Sequence, residues 1–148
     1  MTRVALDSNI LIYAELEPET EKGKRATELI LRAARDGVIP VQVLGEYLRF
    51  VQRRALHAFA GAIRQSELFR AAFVTPPTTE AVLEAAAAFS SAHSLQFWDA
   101  VACAASISAG AKALLSEDMR DGRVLEGLRI INPFTPANLG LIDSLVAI

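Results

Sequence analysis

Arg3-Val4-Ala5-Leu6-Asp7-Ser8-Asn9-Ile10-Leu11-Ile12-Tyr13 contains a strand, a helix start and an acid between them. Val4 to Leu6 reads as a short buried strand and Ile10 to Tyr13 as the apolar opening of a helix. Asp7 therefore stands at the strand's carboxyl end. In open α/β sheets, ligands bind in the crevice outside those ends. A carboxylate lodged in apolar sequence is costly unless a positive group meets it. Three later acids, Glu46, Asp99 and Asp118, fall in comparable places. Four carboxylates gathered at one sheet edge would call for a divalent cation.

Outward from that stretch, short apolar runs alternate with helical patterns, the signature of a mainly parallel α/β sheet. Expected strands are Val4–Leu6, Val38–Pro40, Ala72–Val74, Ala113–Leu115 and Leu128–Ile131. Expected helices run from about Ile10 to Leu16, from Thr20 as cap to Arg35, and from Val41 to Arg54. Further helices span about Ala58 to Arg70, Thr78 or Thr79 to His93, and Phe97 to Ala109. The expected architecture is a three-layer α/β sandwich, a parallel sheet of about five short strands flanked by helices. The apolar tail from Leu139 to Ile148 is expected to pack back on the domain or on another subunit.

At 148 residues, the chain reads as one domain over 1–148. The 52% apolar content and mean hydropathy of +0.29 describe a filled core. A net charge of −2 carries no basic footprint of the kind a passive nucleic-acid coat requires. That weighs less against an enzyme whose metal supplies positive charge locally. The single Cys103 excludes internal disulfides, and zinc would be short of ligands with only His57 and His93 available. A cytoplasmic location is expected: no signal-peptide pattern precedes the first strand, and no run reaches membrane-spanning length.

Each acid also has an ordinary use. Asp7 can cap the helix that follows it, although Ser8 and Asn9 can cap as well. Glu46 borders the buried stripe Val43, Leu44, Tyr47, Phe50 and Val51, where a surface pair with Arg49 three residues on is the plain alternative. Asp99 suits the dipole of a helix first turn, but its neighbours are apolar all round, so its charge still needs compensation. Asp118 suits a turn, and Glu117 and Asp121 are nearby rivals for the same role. Ser116 can orient a ligand or a water. Cys103 reads as a small buried hydrophobe and Trp98 as core; Lys22, Lys24 and Arg25 read as surface charge.

Taken as a set, Leu6-Asp7-Ser8-Asn9-Ile10-Leu11, isolated Glu46, Phe97-Trp98-Asp99-Ala100, and Leu115-Ser116-Glu117-Asp118-Met119 with Gly122 resemble the PIN-domain ribonucleases. Gly127-Leu128 through Asn132-Pro133-Phe134 is similar to the toxin branch of that family, the VapC-type toxins. The resemblance covers essentially the whole chain in order. It implies a Mg2+- or Mn2+-dependent endoribonuclease, with Asp7, Glu46, Asp99 and Asp118 matching the acidic quartet. Asp7, Asp99 and Asp118 would hold the ion. Ser8, Asn9, Ser116, Glu117 and Asp121 are candidates to support them. RNA is the implied substrate, a small antitoxin protein the implied inhibitor, a homodimer the usual state, and no membrane is involved. The Ser-Glu-Asp of the last motif departs from the Thr-Asn/Arg-Asp of many members outside the toxin branch, which keeps Glu117 and Asp121 in play. Arg49, Arg53 and Arg120 are candidate RNA contacts or ordinary solvated charges.

Metal and water oxygens suit phosphodiester hydrolysis, and neither histidine serves a nucleophilic triad. A phosphorelay receiver would need an acid after the third strand and a Lys after the fifth, where Thr75-Pro76 and Asn132-Pro133 stand. A haloacid-dehalogenase-type phosphatase would want an acid where Asn9 stands. No Gly-rich phosphate loop follows the first strand. The remaining alternative is a non-catalytic, protein-binding module of the same fold.

Overall fold

The computed structural model describes residues 2–146. In chain order its elements are β1 (Arg3–Leu6), α1 (Ser8–Leu16), α2 (Glu21–Ala33), α3 (Val41–Arg54), α4 (Phe59–Ala72), α5 (Glu80–His93) and α6 (Phe97–Ser108). There follow β2 (Ala111–Leu115), β3 (Val124–Leu125), β4 (Leu128–Ile131) and α7 (Leu139–Leu145), with 3-10 turns at Leu56–Ala58 and Pro136–Asn138. The sheet order is β1-β2-β4-β3. β1, β2 and β4 run parallel, with Leu6 opposite Leu115 and Leu115 opposite Ile131, and β3 is antiparallel to β4. The α/β class, the parallel centre and the flanking helices agree with the expectation.

The strands differ from it in two ways. Val38 and Val74, expected within strands, extend the sheet only as single parallel bridges, Ala5 to Val38 and Val38 to Val74. Local chemistry stops them: Pro40 already stands at the N-cap of α3, and Phe73 still closes α4. The addition is β3. Glu126 and Gly127, both at positive φ (48° and 85°), make a two-residue turn that folds β3 onto β4. Positive φ at both central positions is what a hairpin turn matching strand twist requires.

Helix signals in the sequence hold up well. Thr20 accepts from Gly23 N at 3.0 Å and Thr79 from Val82 N at 3.1 Å, both as caps. Gly23 permits the tight α1–α2 junction, since a Cβ there would stand 1.7 Å from the Glu17 carbonyl oxygen. The main core lies between the sheet and α1 to α3, around Leu6, Ile10, Leu29, Tyr47, Leu114 and Ile130. A second cluster joins Val82 and Ala86 of α5 to Ala100, Val101, Ala104 and Ala105 of α6. Ala102 and Cys103 face the main core instead. α6 is thus covered on both sides, which is why its sequence is apolar all round.

Trp98 does not belong to that core. It is 52% exposed, packed edge-on against Phe97 with ring centroids 5.1 Å apart. The C-terminal segment does pack back, through buried Ile142 and Val146 and through Arg32 donating to the Val146 carbonyl at 2.8 Å. The end of the expected tail, Ala147 and Ile148, lies outside the described residues, as does Met1. Among the described residues, no helix is long and apolar enough to cross a membrane.

Candidate metal and catalytic site

The parallel ladder continues one residue past its strands. Asp7 N donates to the Leu115 carbonyl and Ser116 N to the Ile131 carbonyl, both at 3.0 Å. This sets Asp7 and Ser116 side by side at the sheet's carboxyl edge. Ser116 Oγ donates to Asp7 Oδ2 at 2.7 Å, and Ser8 N donates to Asp7 Oδ1 at 2.8 Å. Asp7 is therefore both the N-cap residue of α1 and an edge acid. Ser116 Oγ also accepts from Asp118 N at 3.2 Å and Met119 N at 3.4 Å, shaping the turn that carries Asp118.

Asn9 stands between the two aspartates. Its buried Nδ2 faces Asp7 Oδ2 at 3.4 Å, Ser116 Oγ at 3.3 Å and Asp118 Oδ2 at 3.3 Å. Two hydrogens shared among three oxygens, all near the long limit, make Asn9 a central tether rather than the strong partner of one acid. Its Oδ1 accepts from Glu117 N at 3.2 Å. A single amide thus holds both carboxylates and the backbone between them.

Glu46 and Asp99 arrive from helices. Asp99 lies in the first turn of α6, where its N donates to the capping Gln96 Oε1 at 2.9 Å. Glu46 Oε1 accepts from Gln42 Nε2 at 3.2 Å, and the same Nε2 donates to the Trp98 carbonyl at 3.1 Å. Gln42 ties α3 to the first turn of α6 and keeps Glu46 in Asp99's neighbourhood. The side-chain pair of Glu46 is thus with Gln42, four residues upstream, instead of Arg49. The i, i+4 spacing was visible in the sequence; the tie to the Trp98 carbonyl is tertiary and was not.

The four acids share one electrostatic field. Burial pushes Asp7 up to about 6, against the Ser116 and Ser8 hydrogen bonds and with help from Asp99 and Asp118. Burial likewise lifts Glu46 to about 7, with Asp7, Asp99 and Asp118 adding repulsion. Asp99 is raised by burial and then by Asp118. Among the described residues, none of the four has a basic partner within ion-pair distance. The donors are all hard oxygens, with neither thiolate nor imidazole among them. Carboxylates with one member buried (Asp7), two half-buried (Glu46 and Asp99) and one exposed (Asp118), none paired with a base among the described residues, fit a small divalent cation reached from solvent. Among the described residues, no three acidic, histidine or cysteine side chains stand close enough to enclose an ion unaided. Water would complete the shell, as it does for Mg2+, which keeps several waters.

The other candidates separate. Glu117 accepts from Tyr13 Oη at 2.5 Å and pairs with Lys22, whose ammonium lies 5.2 Å from the Tyr13 ring centroid. Burial works against the Glu117 charge, but Lys22 and Tyr13 together hold its carboxyl below the usual range. It is a compensated acid, and Lys22 is engaged where plain surface charge was expected. Asp121 accepts from Asn132 N at 2.8 Å and Asn138 Nδ2 at 3.1 Å, bracing the chain beyond β4. Ser8, Asn9, Glu46, Arg49, Arg53 and Asp118 line one cavity of about 560 Å³, and Arg120 lies on the exposed surface outside it. Cys103 is buried against Met119 with its thiol pushed up to about 12 by burial, consistent with an inert hydrophobe.

The PIN domain family model matches residues 4–124, a span that includes all four acids. The chain belongs to the PIN domain family. PIN homologues are nucleases, and PIN nucleases generally use divalent metals. Comparison with curated proteins found no match. Among solved structures, the Mycobacterium tuberculosis VapC20 toxin, described as cleaving the sarcin–ricin loop, is 16% identical, with TM-score 0.65 over 78% of this chain and 89% of that one. A toxin–antitoxin complex from Klebsiella pneumoniae gives 16% identity and TM-score 0.66 over 88% and 98%. VapBC2 from Rickettsia felis, bound to a promoter DNA fragment, gives 13% and 0.64 over 88% and 98%. At these identities the likeness is one of PIN fold.

Proposed function

We propose that this PIN domain, taken as a single domain over 1–148, is a Mg2+- or Mn2+-dependent endoribonuclease and the toxin of a type II toxin–antitoxin module. The observation that carries the reading is a set of carboxylates near one sheet edge, three of them (Asp7, Glu46 and Asp99) raised by burial and by neighbouring acids, and none with a basic partner among the described residues. The structural likeness to toxin–antitoxin complexes supports a small antitoxin partner. A cytoplasmic homodimer is the expected setting.

Asp7, Asp99 and Asp118 would hold the ion, directly or through water. When bound, the ion supplies Lewis acidity to a phosphoryl oxygen and acidifies a nearby water. Asn9 and Ser116 keep Asp7 and Asp118 at fixed separation, so the oxygens are organised before substrate arrives. Glu46, held beside Asp99 through Gln42 and raised by burial in the metal-free chain, would orient the attacking water and accept its proton. Water oxygen bonds to phosphorus, the bond from phosphorus to the 3′-oxygen breaks, and that oxygen takes up a proton. The products are a 5′-phosphate and a 3′-hydroxyl. Arg49 and Arg53, on the same cavity wall, neutralise flanking phosphates.

The test is cleavage of total RNA by the purified chain, with the new ends sequenced. The reading expects 5′-phosphate ends in Mg2+ and none in EDTA. Cutting that survives EDTA contradicts it, and a chain that neither cuts nor binds metal would be a non-catalytic PIN module.

A further inference from the structure

The cavity that begins at Asp118 and Glu46 does not end with the acids. It runs on as a groove between α1 and α3, with Ile12, Tyr13 and Leu16 on the α1 side. α3 presents Glu46, Arg49, Phe50 and Arg53 to it at spacings of three, four and seven residues, which is one helical face. The core-facing residues of the same helix are Val43, Leu44, Tyr47 and Val51, so Phe50 is not needed by the core. Phe50 is 38% exposed, and the Arg54 guanidinium lies over its ring at 5.7 Å from the centroid. Among the described residues, Arg49, Arg53 and Arg54 form no ion pair with a carboxylate. In a chain of net charge −2, three arginines are thus gathered around an exposed aromatic face, while Glu17, Glu46, Glu117 and Asp118 also line the groove.

We infer that this groove is a binding site for single-stranded RNA, in which a base stacks on Phe50 and Arg54 while Arg49 and Arg53 hold the flanking phosphates. A stacking platform beside guanidiniums is the chemistry by which unpaired nucleotides are held without a sequence code. The base must be unstacked from its own helix to use it, which excludes a duplex. Arg49 and Arg53 are four residues apart, about 6 Å along the helix axis. That is roughly one nucleotide step of an extended strand. Phe50 lies one turn from Glu46, again about 6 Å along the axis, which makes the stacked base the neighbour of the phosphate at the acid edge. Phe50 and Arg54 would then bias which nucleotide flanks the cut. An acidic peptide would satisfy the three arginines but would leave the Phe50 face unused.

The inference takes the acid edge as the cleavage site from the nuclease proposal, but binding can be read without cleavage. The probe is a single-stranded RNA carrying 2-aminopurine, added to the Asp7→Asn chain and followed by anisotropy and by 2-aminopurine emission. Phe50→Ala should weaken binding about tenfold, within the range of one base–aromatic stack, and should remove the emission change. Phe50→Tyr should keep both, which separates stacking from a folding defect in Phe50→Ala. Arg53→Ala should lower the slope of log affinity against log salt by about one phosphate contact. Binding and emission unchanged in Phe50→Ala, an equally tight duplex, or a polyglutamate peptide that displaces the RNA and binds independently of Phe50 would each overturn the site. If the wild-type chain never cuts RNA yet the emission change depends on Phe50, the nuclease proposal falls and the groove stands. If Phe50→Ala cuts with unaltered KM and kcat, the groove falls and the nuclease proposal stands.

Discussion

Two groups of acids in this chain meet opposite fates. On the α2 side, Glu28 lies within ion-pair distance of Arg25 and Arg32, Asp143 pairs with Arg32, and Glu117 pairs with Lys22. At the sheet's carboxyl edge, Asp7, Glu46, Asp99 and Asp118 have none of these partners; burial, with neighbouring carboxylates adding to it, raises the pKa values of Asp7, Glu46 and Asp99. Arginines are present within the same cavity, on the α3 wall, but among the described residues they form no ion pair with these acids. The first group is compensated by basic side chains; among the described residues the second receives hydrogen bonds but no basic side chain, which leaves protons or an outside cation to balance its charge. Adjacent residues fall on either side of this divide. Glu117 is tied down by Tyr13 and Lys22, whereas Asp118 faces the tether of Asn9.

The largest effect expected from breaking this contrast is on activity. Asp7→Asn should lower RNA cleavage at least about a thousandfold, roughly 4 kcal/mol of transition-state stabilisation. Circular dichroism should show an intact fold, because the Asn amide oxygen can still accept from Ser8 N as the helix cap, at the cost of the Ser116 and Asn9 hydrogen bonds to the second oxygen. Next is pH dependence of the metal-free chain. A carboxyl raised from its unfolded value of 3.8 to about 6 binds protons in the folded state that the unfolded chain has released. Its contribution is therefore present at low pH and lost as pH rises through about 6, with Glu46 following near 7. For Asp7 this is on the order of 3 kcal/mol. Stability from denaturant melts should rise as pH falls from 8 towards 5. Added Mg2+ should stabilise most at pH 8, and its increment should shrink below pH 6.

Removing the tether should have a smaller effect. Asn9→Ala leaves Glu117 N without its acceptor and frees Asp118 from Asp7. A cost of about 1–2 kcal/mol is expected from urea unfolding, for the loss of buried hydrogen bonds, with cleavage falling more steeply than stability. The smallest effect belongs to the compensated group. Glu28→Gln should change stability by at most about 0.5 kcal/mol, because exposed pairs are screened by water, and should leave cleavage unchanged. A large loss of cleavage in Glu28→Gln would erase the distinction between the two groups.

Legibility in the sequence followed how local the cause was. The helix Val41–Arg54 and the caps Thr20 and Thr79 are local devices, and the structure has them where the sequence places them. Val38 and Val74 form bridges where strands were expected because the neighbouring helices claim their flanks, a competition that apolar runs do not reveal. β3 escaped because its turn is Glu126-Gly127, and Glu seldom advertises positive φ. Trp98 reads as core by type but sits at the exposed start of a helix buried only from Ala100 onward. At the site, the acids were visible one by one. Asn9 and Ser116 were readable as supports for them, but the atoms they join, and any part for Gln42, were not, because each joins residues brought together only by the parallel ladder or by the α3–α6 contact.

The most direct measurement is calorimetric titration of the metal-free chain with Mn2+ at pH 8, beside Asp99→Asn and Glu28→Gln. The account expects wild-type and Glu28→Gln chains to bind alike and Asp99→Asn to bind at least about tenfold more weakly, a difference of about 1.4 kcal/mol. No heat of binding in the wild-type chain at millimolar metal, or equal binding in all three, would contradict it.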